Sequence, residues 1–137
     1  MIYPIHYGLE KAGLPLILTT ENPKNLCFLI DTGSTNDVII DFVYNHFKDQ
    51  FTLTSESQNI MGINGSIKSS FFINAELQFD DLKYNAPFVV LEANEAISQV
   101  QAETGIQIHG VLGIPFLLEN KCMIDFNELI IKDGNEN

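Results

Sequence analysis

At 137 residues the chain has room for one hydrophobic core and lies near the small end of what folds unaided. Its 45% apolar content is that of a globular protein, not a disordered one. A net charge of −11, with only seven scattered Lys and Arg, leaves no basic stripe to neutralise phosphates, so nucleic acid is excluded as a partner.

Residues 1–20 lack a basic n-region, and Leu14–Leu18 is too short for a signal h-region or a membrane span. The expectation is a soluble, cytoplasmic protein that does not engage a membrane. The two cysteines, Cys27 and Cys122, lie far apart, and Cys27 sits in an apolar run where a free buried thiol is the commoner state. His6, His46 and His109 stand alone, with no metal-ligand spacing, so neither metal nor cofactor is expected.

In chain order, Leu14 to Thr20 predicts a strand with Pro15 near its start, and residues 21–25 a turn. Leu26 to Ile30 is continuously apolar, which predicts a strand buried on both faces. After Val38-Ile39-Ile40, Asp41 is placed to cap a short helix through Phe47. Asn64-Gly65 is the strongest turn signal, predicting a primed two-residue turn between arms of about Gln58 to Ile63 and Ser66 to Ile73. A second hairpin runs from Ala75 to Phe79, turns at Asp80-Asp81, and returns over Tyr84 to Leu91, where Pro87 suggests an edge position. Ala96, Ile97, Val100 and Thr104 recur at helical spacing, with Gly105 as the stop. Pro115 suits the first turn of a short helix to about Glu119. Strands around Met123 to Phe126 and Leu129 to Lys132 close the chain before a polar tail, 133–137, expected to fray. Many short strands with two or three short helices predict one all-β domain over 1–137, a small, partly closed barrel.

Within this pattern, the strand ending at Ile30 delivers Asp31-Thr32-Gly33-Ser34, a carboxylate at the mouth of a sheet. Far downstream stands Gly110-Val111-Leu112-Gly113, followed by Ile114-Pro115-Phe116. The acid-Thr-Gly turn, the glycine-bearing hairpin and the apolar-apolar-Gly segment before a helix occur in an order and spacing that resemble the retropepsins. These are the retroviral-type aspartic proteases, and the likeness is to their cellular and bacterial branch, over about Leu14 to Lys132. The resemblance implies a homodimeric endopeptidase acting on peptides or proteins, with Thr32 and Gly33 fixing the paired loops.

The chemistry fits that reading. Peptide hydrolysis by carboxylates needs two of them sharing one proton, the pair serving as general base and general acid. One chain supplies Asp31, and a two-fold dimer supplies its copy. Ser34, next to the turn, is placed to donate to the Asp31 carboxylate and favour its ionised form, which would move the pH optimum down. A bound peptide would lie as an added strand beneath a flap, Ile60 to Lys68, with Met61, Gly62, Ile63, Asn64 and Gly65 against it. Alternation places His109 and Val111 on one face, both facing substrate if that segment walls the cleft. Equally open is a histidine at the barrel rim, hydrogen-bonded to backbone. Asp37, Asp41, Asp80, Asp81 and Asp125 read as ordinary turn, cap or strand-end carboxylates, Asp125 shaping the last hairpin. Retroviral members carry Gly-Arg-Asn after the second signature, whereas here Gly113 is followed by Ile114-Pro115, so the interface brace that Arg supplies is missing. Two other readings stand beside the homodimeric protease: a noncatalytic peptide-binding module that keeps the fold, and half of a two-lobed protease completed by another chain.

Overall fold

The computed structural model describes residues 1–53, 58–61 and 67–134, with 58–61 and 67–70 described by their backbone alone. The described residues include eleven strands, four α-helices and a 3₁₀ turn at Lys48–Gln50. The fold class is all-β, as expected, but the strands form two open sheets and neither closes into a barrel.

The small sheet is antiparallel, with β11 (Ile130–Lys132) between β1 (Ile2–Pro4) and β10 (Met123–Asp125). Beside it, Asp133 is buried and accepts from the Met1 amine at 3.0 Å, while Gly134 N–H donates to Asn120 O at 2.9 Å. Residues 133 and 134 are therefore fastened to the body, contrary to the expected fraying. Asp125 Oδ1 accepts from Asn127 and Glu128 N–H, which shapes the last turn as anticipated.

The large sheet runs β2 (Leu16–Leu18), β3 (Cys27–Ile30), β9 (Gly110–Leu112), β4 (Val38–Ile40), β8 (Leu82–Leu91), β7 (Ile67–Phe79) and β5 (Thr52–Leu53), with β6 (Gln58–Met61) also paired to β7. Its defining feature is β9, which lies parallel to β3 and antiparallel to β4. The loop 31–37 leaves one of β9's neighbours and returns along the other, so it must bridge the end of β9. Gly110 is required here by close approach: a Cβ would stand 2.4 Å from both a Phe28 ring carbon and Val38 O.

One face of this sheet carries the main core, where Phe28, Phe79, Phe88 and Phe116 are fully buried and meet edge-to-face, with Phe28 and Phe79 centroids 5.7 Å apart. The opposite face carries two smaller clusters, Leu16, Cys27 and Ile108, and Val38, Ile40 and Val89. Ile97 of α3 (Glu95–Thr104) packs against both. β3 is thus buried on both faces, which explains its unbroken apolar run.

Several local expectations are refined. α3 starts from an Asn94 side chain accepting Ile97 N–H and stops at Gly105 in the left-handed region. α2 (Asp41–His46) contains Asp41 in its first turn, not as its cap. α1 (His6–Ala12) has no counterpart in the sequence reading. Pro87 does not lie on an edge strand, but β4 pairs only with residues 89–91 of β8, so at Pro87 the strand has a neighbour on one side only. The ladder of β6 and β7 opposes Met61 to Ile67, and the expected Asn64-Gly65 turn lies outside the described residues.

Candidate active site

Asp31 leaves the end of β3 with its N–H donating to Leu112 O of β9 at 3.0 Å. Its Oδ1 accepts from Gly33 N–H at 2.9 Å, and its carbonyl accepts from Ser34 N–H at 3.1 Å. The residue is half-buried while Thr32 and Gly33 are exposed, so the carboxylate stands at the open end of the sheet. Gly33 is not in the left-handed region. What favours glycine is space, because a Cβ would lie 3.2 Å from Asp31 Oδ1.

The loop is fixed from below by the second signature. Ile114 N–H donates to Ser34 O at 2.9 Å, and a Cβ on Gly113 would stand 2.5 Å from Ser34 O and 2.6 Å from Asn36 O. Only glycine lets the β9 exit pass so close beneath the loop. α4 (Ile114–Glu119) starts directly after it, with Pro115 in its first turn as expected.

Ser34 does not tune the carboxylate in the way its position suggests. Its hydroxyl donates its one proton to Asn36 O at 2.6 Å, an acceptor that leaves nothing to give Asp31. The side chain is short enough to reach the backbone two residues on, and that local turn wins.

Asp37, expected to be an ordinary solvated turn, cap or strand-end carboxylate, is instead buried at the end of the Asp31 loop. It is 2% exposed, and Oδ1 accepts from Gly113 N–H at 2.8 Å and Phe116 N–H at 3.4 Å, while Oδ2 accepts from Tyr84 O–H at 2.5 Å. Burial raises its pKa from the ordinary 3.8, and the hydrogen bonds from Tyr84, Gly113 and Phe116 pull the other way. Burial and the Asp37 carboxylate together raise the Tyr84 hydroxyl.

Val111 is half-buried and packs with the Val38, Ile40 and Val89 cluster, two residues before Gly113. His109 stands at the other end of β9. Its partner on β3 is Cys27, four residues before Asp31, an axial separation of about 13 Å at the usual strand rise. The imidazole Nδ1 accepts from Cys27 N–H at 2.8 Å, and burial holds its pKa below the ordinary 6.5. This is the backbone-bonded histidine of the two readings, edge-on to Phe42 at 6.1 Å. It borders an apolar cavity of about 400 Å³ whose lining includes Tyr3, Tyr7, Leu16 and Leu18.

Of the flap residues, Met61 is placed as the last residue of β6, and Gly62, Ile63, Asn64 and Gly65 lie outside the described residues. Among the described residues, no group of three or more His, Cys, Asp or Glu side chains could hold a metal ion. No helix among them is long and apolar enough to cross a membrane. Cys27 and Cys122 are free thiols, each raised to about 11 chiefly by burial.

No protein-family model and no curated protein sequence matches the chain. Solved structures do. The retroviral protease-like domain of Ddi1 from Leishmania major superposes with a TM-score of 0.62 at 11% identity, covering 90% of each chain. A retropepsin-like aspartic protease from Rickettsia conorii gives 0.59 at 16% identity, over 96% of this chain and 97% of its own. The EIAV protease bound to the inhibitor HBY-793 gives 0.58 at 18% identity, over 77% of this chain and 86% of its own. At these identities the likeness is one of architecture. This chain has the retropepsin-like aspartic protease fold.

Proposed function

We propose that the protein is an aspartic endopeptidase whose site is completed by a second copy, with water activated between two Asp31 carboxylates. The observation that carries this reading is the Asp31 loop itself. A lone carboxylate stands at the open end of β3, locked by Gly33 N–H and braced beneath by Gly113. Among the described residues no hydrogen bond or ion pair joins it to another acid. One carboxylate cannot both hold and accept the shared proton, so the chemistry requires a partner. Two further features fit a two-fold contact at this end. The Thr32-Gly33 tip is exposed, and α4 leaves the same junction with Ile114 and Leu118 turned outward, Leu118 at 75% exposure.

Substrate would add as a strand along the cleft, with Val111 on its wall and the β6–β7 hairpin, Met61 included, above it. His109, about 13 Å along the sheet from Asp31, would meet only a substrate side chain distant from the scissile bond. Thr32 and Gly33 position the paired loops, and Ser34 holds the loop's turn through Asn36.

The test is a diverse peptide mixture incubated with the purified protein from acid to neutral pH, alongside Asp31→Asn. Hydrolysis by the wild type and none by a folded Asp31→Asn is expected, since an amide is nearly isosteric but cannot relay the proton. Turnover retained in the variant would overturn the aspartic mechanism. Peptide binding by the wild type with no cleavage would establish the noncatalytic module instead.

A further inference from the structure

We propose that Asp37 is a positioning residue for the Asp31 site: its carboxylate, locked by Tyr84, holds the β9–α4 junction against the catalytic loop. The proposal rests on the protease reading above and names the part that keeps its loop in place.

A carboxylate offers about four lone-pair sites. Three are filled here by donors from two separate parts of the chain: Gly113 N–H and Phe116 N–H of the β9–α4 junction, and Tyr84 O–H of β8. The first N–H groups of a helix have no partner within it, and α4 has no side-chain cap of its own. Asp37 supplies that cap from the far side of the loop. Its backbone is committed as well, since its carbonyl accepts from Val89 N–H at 2.9 Å at the head of the β4–β8 pairing. One residue thus ties the sheet to the start of α4.

The consequence for Asp31 follows from where the loop is attached. Its first residue hangs from Leu112 O, its middle from Ile114 N–H through Ser34 O, and its last residue grips Gly113 and Phe116. All three anchors lie on the single stretch 112–116. If Asp37 releases that stretch, Ser34 moves with Ile114, and the bonds that orient Asp31 move with Ser34. What the junction needs here is a planar group with one oxygen for the two amides and a second polar atom for Tyr84, which Asp and Asn supply and Ala does not.

Three variants test this: Asp37→Ala, Asp37→Asn and Tyr84→Phe. Each is followed by kcat and KM on one cleaved peptide, by native mass, and by amide exchange at Asp31, Ser34, Gly113 and Phe116. Asn keeps an Oδ1 acceptor for the two amides and can donate to the Tyr84 oxygen, so it should retain kcat within about threefold. Ala should lose about 100-fold in kcat with KM nearly unchanged, the size expected of an ångström-scale misplacement. Its exchange should quicken at Asp31 and Ser34, not only at Gly113 and Phe116. If Ala fails to fold, Tyr84→Phe decides, with a kcat loss of about fivefold expected from leaving Oδ2 buried and unpartnered. A folded dimeric Ala variant with kcat within about threefold of wild type overturns the proposal, as does a folded Tyr84→Phe with unchanged kcat and exchange. Should the wild type cut nothing, the protease reading falls. The grip is then judged by exchange alone, and unchanged protection of Asp31 and Ser34 in the variants refutes it.

Discussion

The two ends of β9 are fastened by different chemistry. At the upstream end the neutral imidazole of His109 accepts Cys27 N–H, and at the downstream end the carboxylate of Asp37 accepts Gly113 N–H. Both side chains satisfy a backbone donor that the sheet ladder leaves over, and burial penalises the charged form of each. The outcomes differ because Asp37 draws three donors to offset that penalty, whereas His109 avoids it by staying uncharged. The end that carries Asp31 is held by three hydrogen bonds to one carboxyl group, and the remote end by a single bond to an imidazole.

The largest loss is expected at Gly113. An added methyl in Gly113→Ala would meet backbone oxygens of Ser34 and Asn36 at 2.5 and 2.6 Å, and backbone cannot move aside as a flexible side chain can. Overpacking of this kind costs about 1–3 kcal/mol, and the displaced loop should lower hydrolysis by about 100-fold. Thermal unfolding and peptide turnover check this together. An Ala variant matching wild type in both would mean that the loop is not seated on Gly113.

At the other end the effect is smaller and depends on pH. The native-state pKa of His109 is depressed, so the unfolded chain binds more protons near its ordinary 6.5. The stability it contributes is therefore complete above that value and is lost as pH falls through the native-state value. Asp37 has the opposite sign: its native pKa is raised, so its contribution is complete below 3.8 and is lost as pH rises through the native value. His109→Phe should cost about 1–3 kcal/mol at pH 7, since Cys27 N–H loses its acceptor. The gap from wild type should narrow by pH 5. A gap that stays constant with pH, measured by denaturant unfolding at both values, would remove the imidazole bond from the account.

Legibility of the sequence followed the range of the forces involved. β3, the α3 stop at Gly105 and the α4 start at Pro115 were readable because burial on both faces, a left-handed cap and a preset φ act within a few residues. The turn at Asp80-Asp81 was readable for the same reason, and Asp80 takes a φ of 57° there. α1 was not, because its seven residues bury only Gly8, leaving no apolar stripe to recognise. Gly8 itself is needed for a contact with the chain beyond the helix, since a Cβ would stand 2.5 Å from Leu14 O. Asp31 stood out by its local frame. Asp37 did not, because its partners lie 47, 76 and 79 residues away. Nothing in the stretch from Ser34 to Val38 separates a buried acceptor from a solvated turn acid. The only local hint was its place directly before the fully buried run of β4. The hydroxyl of Ser34 was misjudged for the converse reason: a backbone acceptor close in sequence won over a functional one.

A site that exists only when two Asp31 residues meet is silenced by mixing chains. Wild type is held at a fixed concentration above its dimerisation range while folded Asp31→Asn is added and allowed to exchange. Mixed dimers carry one carboxylate and should be inactive, so hydrolysis should fall with the wild-type share of chains, to about half at equal amounts and about a tenth at ninefold excess. Hydrolysis that stays constant while native mass shows mixed dimers would mean that one chain suffices, and the shared-site account would be wrong.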